Sequence, residues 1–355
     1  MDKLKIFFKT VLPLLFVTLT IAPSQSTASD FPEMKVGGYL QFYGLYQHQE
    51  DVMPVEDTWG YRVRRARLTV QSQITDRLSA TSWLEFAGRQ NVLLDFHFDY
   101  RVYRGIRIRG GQFRPFGQSF NTGILGSASV LFPERPGITP FNASQMGYDA
   151  FRDIGVMMYG SVGQLSYALF TTNGSGRFTQ AGSQIQSRDF GGGSYGGRLD
   201  YTISPELLVG GHVSTNQQRN VVREGDGPFD VNRHSGSLRL RTSGLIVPSG
   251  FTQTEFVIGS RDDTQEFNYD GLYSEAGLEL DDNWTALARF DYLAQRYANG
   301  NSDDIQHGYS AGFRRLFTRD DGGEFARAAI HYNLIDLPDD RLQHTITGVF
   351  QVRFF

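Results

Sequence analysis

Apolar and polar residues alternate with period two along most of the chain, in runs of about ten residues broken by turn-forming residues. Ala66, Leu68 and Val70 make one face of such a run, and Arg65, Arg67, Thr69 and Gln71 make the other. Leu94, Phe96, Phe98 and Tyr100 oppose Asp95, His97, Asp99 and Arg101, and Ala326, Ala328, Ile330, Tyr332 and Leu334 oppose Arg327, Ala329, His331 and Asn333. Side chains alternate across a strand, so each run presents one apolar and one polar face. The pattern predicts 16 strands, at 34–48, 60–74, 77–88, 91–102, 105–113, 151–160, 163–173, 193–203, 206–216, 234–243, 250–260, 268–280, 283–297, 305–317, 323–335 and 342–355.

The connections carry a second signal. Those after even-numbered strands are short, among them Thr75-Asp76, Tyr103-Arg104, Ser161-Val162, Ser204-Pro205 and Asp281-Asp282. Most after odd-numbered strands are longer, notably 114–150, 174–192 and 217–233. A β-sandwich has no reason to alternate in this way. An even-stranded antiparallel barrel in a membrane does, with tight turns at the periplasmic end, long loops outside, and the apolar face of every strand turned toward lipid. The predicted fold is therefore all-β, a 16-stranded antiparallel transmembrane β-barrel.

The first residues stand apart from this pattern. Lys3, Lys5 and Lys9 precede an apolar stretch from Val11 to Ile21, followed by small residues at Ser26 and Ala28. The stretch is shorter than the roughly 20 residues that span a bilayer. It reads as a signal peptide over 1–28, cleaved near Ala28, which leaves 29–355 as one barrel domain. The chain has no cysteine but has 40 Gly, 17 Tyr and 28 Phe. An exported chain of that kind fits a barrel better than a small disulfide-built domain. Lys3, Lys5, Lys9 and Lys35 are the only lysines, so 30 of the 34 basic residues are arginine. The formal charge of -6 after cleavage gives no footprint for nucleic acid.

Turning the apolar faces outward places Arg65, Arg67, Arg101, Arg107, Arg109, Arg198, Arg239, Arg241, Arg289 and Arg327 inward or near the rims. The pairs Arg65/Arg67 and Arg107/Arg109 each share a face. Aiming them at lipid would cost about 2–4 kcal/mol apiece near the midplane. A guanidinium keeps its charge at physiological pH and offers planar donors to carboxylate or phosphate. Cationic walls in a narrow pore favour anions. Each arginine also has a structural reading, as the partner of an inward carboxylate such as Asp95, Asp99, Asp200, Glu275, Glu279 or Asp291. Segment 114–150 is long for a loop and carries Phe116, Phe120, Phe132 and Phe141. Folded into the lumen it would narrow the pore and present Arg114, Glu134 or Arg135. Packed outside, it would be a lid or a subunit contact. The seven histidines form no HExxH pair, and Gly191-Gly192-Gly193 does not precede a helix, so no enzyme motif emerges and neither metal nor cofactor is implied.

The run Arg62-Val63-Arg64-Arg65-Ala66-Arg67-Leu68-Thr69-Val70 resembles the arginine-rich second strand of the phosphate-selective porin O and P family. Leu84-Glu85-Phe86-Ala87-Gly88 resembles its next strand, Gly110-Gly111-Gln112-Phe113-Arg114-Pro115-Phe116-Gly117 its run into the third loop, and Phe132-Pro133-Glu134-Arg135-Pro136 a motif within that loop. The resemblance implies an outer-membrane porin, a homotrimer with an inward-folded third loop, passing small anionic solutes through an arginine-lined pore. Gly37, Gly38 and Gly44 in the first strand offer a wall for close subunit approach. Phosphate-selecting members add a lysine cluster, and Lys35 alone cannot supply one here. Organic carboxylates suit the arginine fork equally well. Outer-membrane lipid and lipopolysaccharide are the expected surroundings. A weakly selective or neutral-solute porin, a plugged structural or adhesion barrel, and a barrel hydrolase remain as alternatives.

Overall fold

In the computed structural model, the residues described are 32–50, 57–88, 92–115, 132, 135–148, 151–174, 176, 193–221, 229–262, 266–298, 303–319, 323–338 and 341–354. The alternating runs become sixteen strands: β1 (Glu33–Gln49), β2 (Thr58–Gln73), β3 (Leu78–Glu85), β4 (Val92–Tyr103), β5 (Ile106–Phe113), β6 (Asp153–Val162), β7 (Leu165–Thr172), β8 (Gly193–Ser204), β9 (Leu207–Val221), β10 (Phe229–Ser243), β11 (Gly250–Asp262), β12 (Phe267–Glu279), β13 (Trp284–Tyr297), β14 (Asp304–Thr318), β15 (Glu324–Asp336) and β16 (Leu342–Phe354). Among the described residues, one helix, α1 (Ile138–Gln145), lies in the β5–β6 connection. Each strand pairs antiparallel with its sequence neighbours, and β1 pairs with β16 from Gly38↔Phe354 to Gln49↔Gln343. The sheet closes on itself and leaves no edge.

Closure gives every strand an inside and an outside. On β1, Tyr39, Gln41 and Tyr43 are buried inward while Leu40 and Phe42 are about half exposed outward. On β10 and β12, Ser235, Ser237, Arg239, Tyr269 and Tyr273 are buried inward, whereas Leu238 is 70% exposed on the outer face. An exterior of Leu, Val, Ile and Phe around a polar interior inverts the pattern of a water-soluble protein, and it is the pattern a bilayer requires.

Two departures of the strand boundaries from the sequence pattern are informative. The β6–β7 turn lies at Gly163-Gln164, not Ser161-Val162: Val162 pairs with Leu165, and Gly163 takes the positive φ of 58° that the reversal needs. β9 and β10 run five residues further toward the long loops than the pattern predicts. Among the added residues, Gln217, Gln218, Asn232 and Arg233 place polar groups on both faces. Strands that rise past an apolar belt lose the alternation while keeping the backbone pairing.

Of the β1 glycines expected to form a subunit wall, Gly38 and Gly44 share the outward phase of Leu40 and Phe42. A Cβ on Gly38 would strike the ring of Phe354 and the carbonyl of Arg67, so the space above this glycine is already filled by an aromatic of β16. A Cβ on Gly44 would come within 3.3 Å of the Tyr61 ring.

Candidate functional site

Register places a band of polar side chains on the inner wall of β15, β16, β1, β2 and β3. Arg327 faces Gln351, Gln351 faces Gln41, and Gln41 faces Arg65. Arg65 Nη1 donates to Gln41 Oε1 at 2.7 Å, and Gln41 Nε2 donates to Gln351. In the next row, Arg353 faces Tyr39, Tyr39 faces Arg67, and Arg67 faces Glu85. Arg67 Nε donates to Glu85 Oε2 at 2.7 Å and Nη1 to the Tyr39 hydroxyl at 2.9 Å. Each row is continuous because adjacent inward positions on neighbouring strands sit side by side.

The ends of the β5–β6 connection bring more guanidinium groups to this wall. Arg114 leaves β5 and stands 5.5 Å over the ring of Trp83 on β3. Arg152, entering β6, is buried and bonds Asp95 through Nη2 at 2.8 Å and Nε at 3.2 Å. Arg135 lies 3.9 Å above the ring of Phe151. Among the described residues, Phe151 is also the non-glycine residue with a positive φ, 67°, a strained backbone held beside the arginines. Burial, then Arg114, Arg65, Arg152 and Arg67, push the Arg135 guanidinium well below its ordinary pKa. Burial and Arg152 push Arg114 down to about 9. Both shifts have the signature of like charges gathered in a partly dry place. Glu85 bonds Arg67, and Asp95 bonds Arg152.

The middle of the connection is anchored elsewhere. α1 packs against β11, β12 and β13. Gly137 N–H donates to Asp291 Oδ1 at 3.1 Å. Asn142 Oδ1 accepts from the Tyr269 hydroxyl at 2.7 Å and from Ser235 Oγ at 2.8 Å. Asn216 Nδ2 donates to the carbonyls of Met146 at 2.5 Å and Gly174 at 2.8 Å. Ile138 is fully buried among Val257, Tyr269, Tyr273 and Leu293, while Met146 and Tyr148 pack with Phe113, Met157 and Phe170. Every one of these strand partners is on the face opposite the exposed apolar one. The arginine-rich root and the anchored middle therefore occupy different sectors of the wall.

The arginines singled out from the sequence fall into distinct settings. Arg65 and Arg67 are buried in the band just described. Arg109 is held bidentately by Asp99 at 2.8 and 3.0 Å, and is a neutralised pair. Arg289 reaches Asp291 at 3.1 Å and Glu275 at 3.8 Å, with Phe132 stacked 4.8 Å above it. Arg101 and Arg107 are exposed at the short-turn end, near Arg77 and Arg104, around a hollow of about 740 Å³. A cavity of about 470 Å³ joins the two levels, lined by Trp83, Asp95, Arg114, Arg109, Arg107 and Lys35. Arg114 and Arg135 join Arg65 and Arg67, whereas Glu134 lies outside the described residues, as do Phe116 and Phe120.

Sequence reasoning missed Arg152 and the tyrosines Tyr39 and Tyr43 that sit among the arginines. The alternation of β1 contained the tyrosines, in phase with Gln41. Arg152 lies within the predicted strand 151–160 but in phase with the apolar Ile154, Val156 and Met158, a face that reads as lipid-facing.

No protein-family model and no curated protein matches the chain. Solved structures share its fold. The anion-selective porin from Comamonas acidovorans superposes with a TM-score of 0.66 at 12% identity, over 91% of this chain and 100% of that one. The outer membrane channel DcaP of Acinetobacter baumannii gives 0.65 at 10% identity, over 94% and 100%. OmpT, an outer membrane protein of Vibrio cholerae in its trimer form, gives 0.65 at 13% identity, over 92% and 100%. At these identities the likeness is one of fold.

Proposed function

We propose that the chain is an outer-membrane porin through which small anionic solutes, phosphate or organic carboxylates, diffuse passively, guided by a wall of arginines. The observation that carries this reading is the convergence of Arg65, Arg67, Arg114, Arg135 and Arg152 around the root of the β5–β6 connection. Clustering like charges opposes folding, so the arrangement calls for a functional return. Fixed cations in a constricted, weakly screened passage attract anions and repel cations.

The remaining features are consistent with that role. The β5–β6 connection acts as the constricting third loop: its middle is anchored on β9, β10, β12 and β13 and its root carries the charge. Arg107 and Arg101 form a cationic mouth at the periplasmic end. Residues 1–28 act as the export signal, and the barrel of 29–355 sits in the outer membrane. Two of the fold neighbours are described as an anion-selective porin and an outer membrane channel, which favours transport over a plugged adhesion barrel. A neighbour described in a trimer form favours a homotrimer here.

The test is reversal potential across a planar bilayer under a salt gradient. The native channel is expected to prefer anions, and replacing Arg65 and Arg67 together with alanine is expected to lower the anion-to-cation ratio by about threefold or more. A cation-preferring native channel, or a ratio unmoved by losing both charges, would overturn the reading. Absence of any conductance would favour the plugged barrel.

A further inference from the structure

Of the three tryptophans in the chain, Trp83 is the one on the inner wall. Trp59 is exposed on the outer face of β2, in phase with Tyr61 and Val63. Trp284 is exposed in the phase opposite the buried Thr285, Leu287 and Arg289 of β13. Trp83 has the other orientation: it faces Thr69 on β2 and Asp95 on β4, and its same-face neighbours along β3 are Thr81 and Glu85. None of these four side chains is an apolar packing partner. The part-exposed indole therefore turns its ring to the cavity of about 470 Å³, where Arg114 stands 5.5 Å over it.

The charges around this cavity differ in how they are used. Its carboxylates are each bonded to a cation: Glu33 to Lys35 at 3.2 Å, Asp95 to Arg152 at 2.8 Å and Asp99 to Arg109 at 2.8 Å. Arg107 has a different neighbour. Register sets it directly against Arg101, and both are exposed. Like charges opposite one another on adjacent strands destabilise a sheet, so the pair points to an anion that meets them. An exposed guanidinium and an indole thus open onto one space. Small-molecule sites combine aromatic walls with a few placed polar groups in the same way.

We infer that this cavity binds aromatic carboxylates, anions whose charge sits on a planar ring. The ring packs on Trp83 beside the Arg114 guanidinium, and the carboxylate meets Arg107. The inference rests on the reading of the barrel as an anion-passing porin and deepens it, by naming the class of organic anion that dwells longest on the inner wall. Space permits it, since a cavity of about 150 Å³ accepts benzene and this one has room for a ring, its carboxylate and water. Aromatic pairs gain stability beyond the area they bury, and a guanidinium beside the ring adds a cation–π contact. The carboxylate suits the planar donors of arginine. Inorganic phosphate would meet the same arginines but gain nothing from an indole. A saturated ring acid would bury its surface without the aromatic contact.

The experiment is block of chloride current through the full barrel in planar bilayers by benzoate, cyclohexanecarboxylate or inorganic phosphate. Benzoate is expected to halve the wild-type current at a concentration about fivefold below that of cyclohexanecarboxylate, which has the same charge and a similar size. Trp83→Leu should bring the two acids together, while Trp83→Phe should keep benzoate the stronger. Arg107→Gln should weaken block by both acids about threefold or more. Equal block of the wild type by the two acids, phosphate as the strongest blocker, or a benzoate preference that survives in Trp83→Leu would each overturn the inference. A second measurement needs no substitution. Because Trp83 alone among the tryptophans faces the lumen, benzoate should quench a saturable part of the wild-type tryptophan emission and cyclohexanecarboxylate should not; emission that benzoate leaves unchanged would overturn the inference as well. Reversal potential in chloride alone separates the two readings. A silent or cation-preferring barrel whose emission benzoate quenches fails only as an anion porin, and an anion-preferring one that treats both acids alike fails only at the cavity.

Discussion

At the scale of single residues, an arginine on the inner wall is defined by its nearest carboxylate. Arg109 and Asp99 share two hydrogen bonds and cancel, so the pair stiffens the wall and contributes little field. Arg65 bonds the neutral Gln41, which stabilises its position and leaves its charge. Arg67 lies between, because Glu85 takes part of its charge while also accepting from the Ala66 N–H at 2.7 Å. Glu85→Gln keeps a hydrogen-bonding side chain there and removes the negative charge. The anion-to-cation ratio should then rise about twofold or more, read from the reversal potential. Arg114 is the cost of the arrangement: burial and Arg152 hold its pKa down to about 9. A cation whose folded pKa lies below its unfolded one opposes folding while it is charged, and the opposition fades as pH rises through about 9. Arg114→Gln should therefore gain on the order of 1 kcal/mol of stability at neutral pH, seen as a higher unfolding temperature in detergent, and lose anion preference. The wild-type preference should hold through neutral pH and weaken toward about 9.

At the scale of elements, period two made the strands legible because every strand has one face toward an apolar exterior. The tips of β9 and β10 escaped the pattern because Gln217, Gln218 and Asn232 continue the backbone pairing beyond that exterior, where neither face needs to be apolar. α1 escaped for a different reason. It has Pro140 in its first turn, no side-chain N-cap and no acidic residue near its start, so no helix signal was present to read. Its helix is a product of tertiary contact: Ile138 fills a pocket of β11–β13 side chains, and Asn142 accepts two hydroxyl hydrogen bonds. The arginine candidates Arg65 and Arg67 were legible from phase alone, but their convergence with Arg135 and Arg152 was not, because chain reversal through a long connection brings those together. The same connection yields a prediction about its anchor. Asn216→Ala removes two hydrogen bonds, to Met146 and Gly174, worth about 1–3 kcal/mol together. Gly147, at a φ of 76°, allows the chain to pass close beneath Gly174, and a Cβ there would overlap its carbonyl oxygen. Asn216→Ala and Gly147→Ala should both loosen the segment and raise single-channel conductance with added current noise. Conductance as steady and as large as the wild type in both variants would show that the segment does not limit the passage.

At the scale of the whole molecule, net charge and the proposed selectivity have opposite signs. The chain is formally -4, yet arginines crowd one sector of the interior. Ionic strength separates the two contributions, because screening acts on distance. At about 0.01 M salt the Debye length is about 30 Å, so an ion at the mouth feels the acidic surface as well as the cluster within. Exposed carboxylates such as Asp57, Asp76 and Asp281 then oppose anion entry. Near 0.1 M the length falls to about 10 Å, which screens the rims from one another but not an ion passing the buried arginines. At about 1 M it is about 3 Å, and even the cluster is muted. The anion-to-cation ratio should therefore pass through a maximum near 0.1 M. It should be lower on both sides, and a series of reversal potentials at a fixed gradient ratio would show it. A ratio that only declined from the lowest salt upward would mean that the field is positive over the whole passage, and that the arginine cluster is not its dominant source. In the Arg65/Arg67 double alanine variant the maximum should flatten, because the short-range contribution that survives moderate salt has been removed.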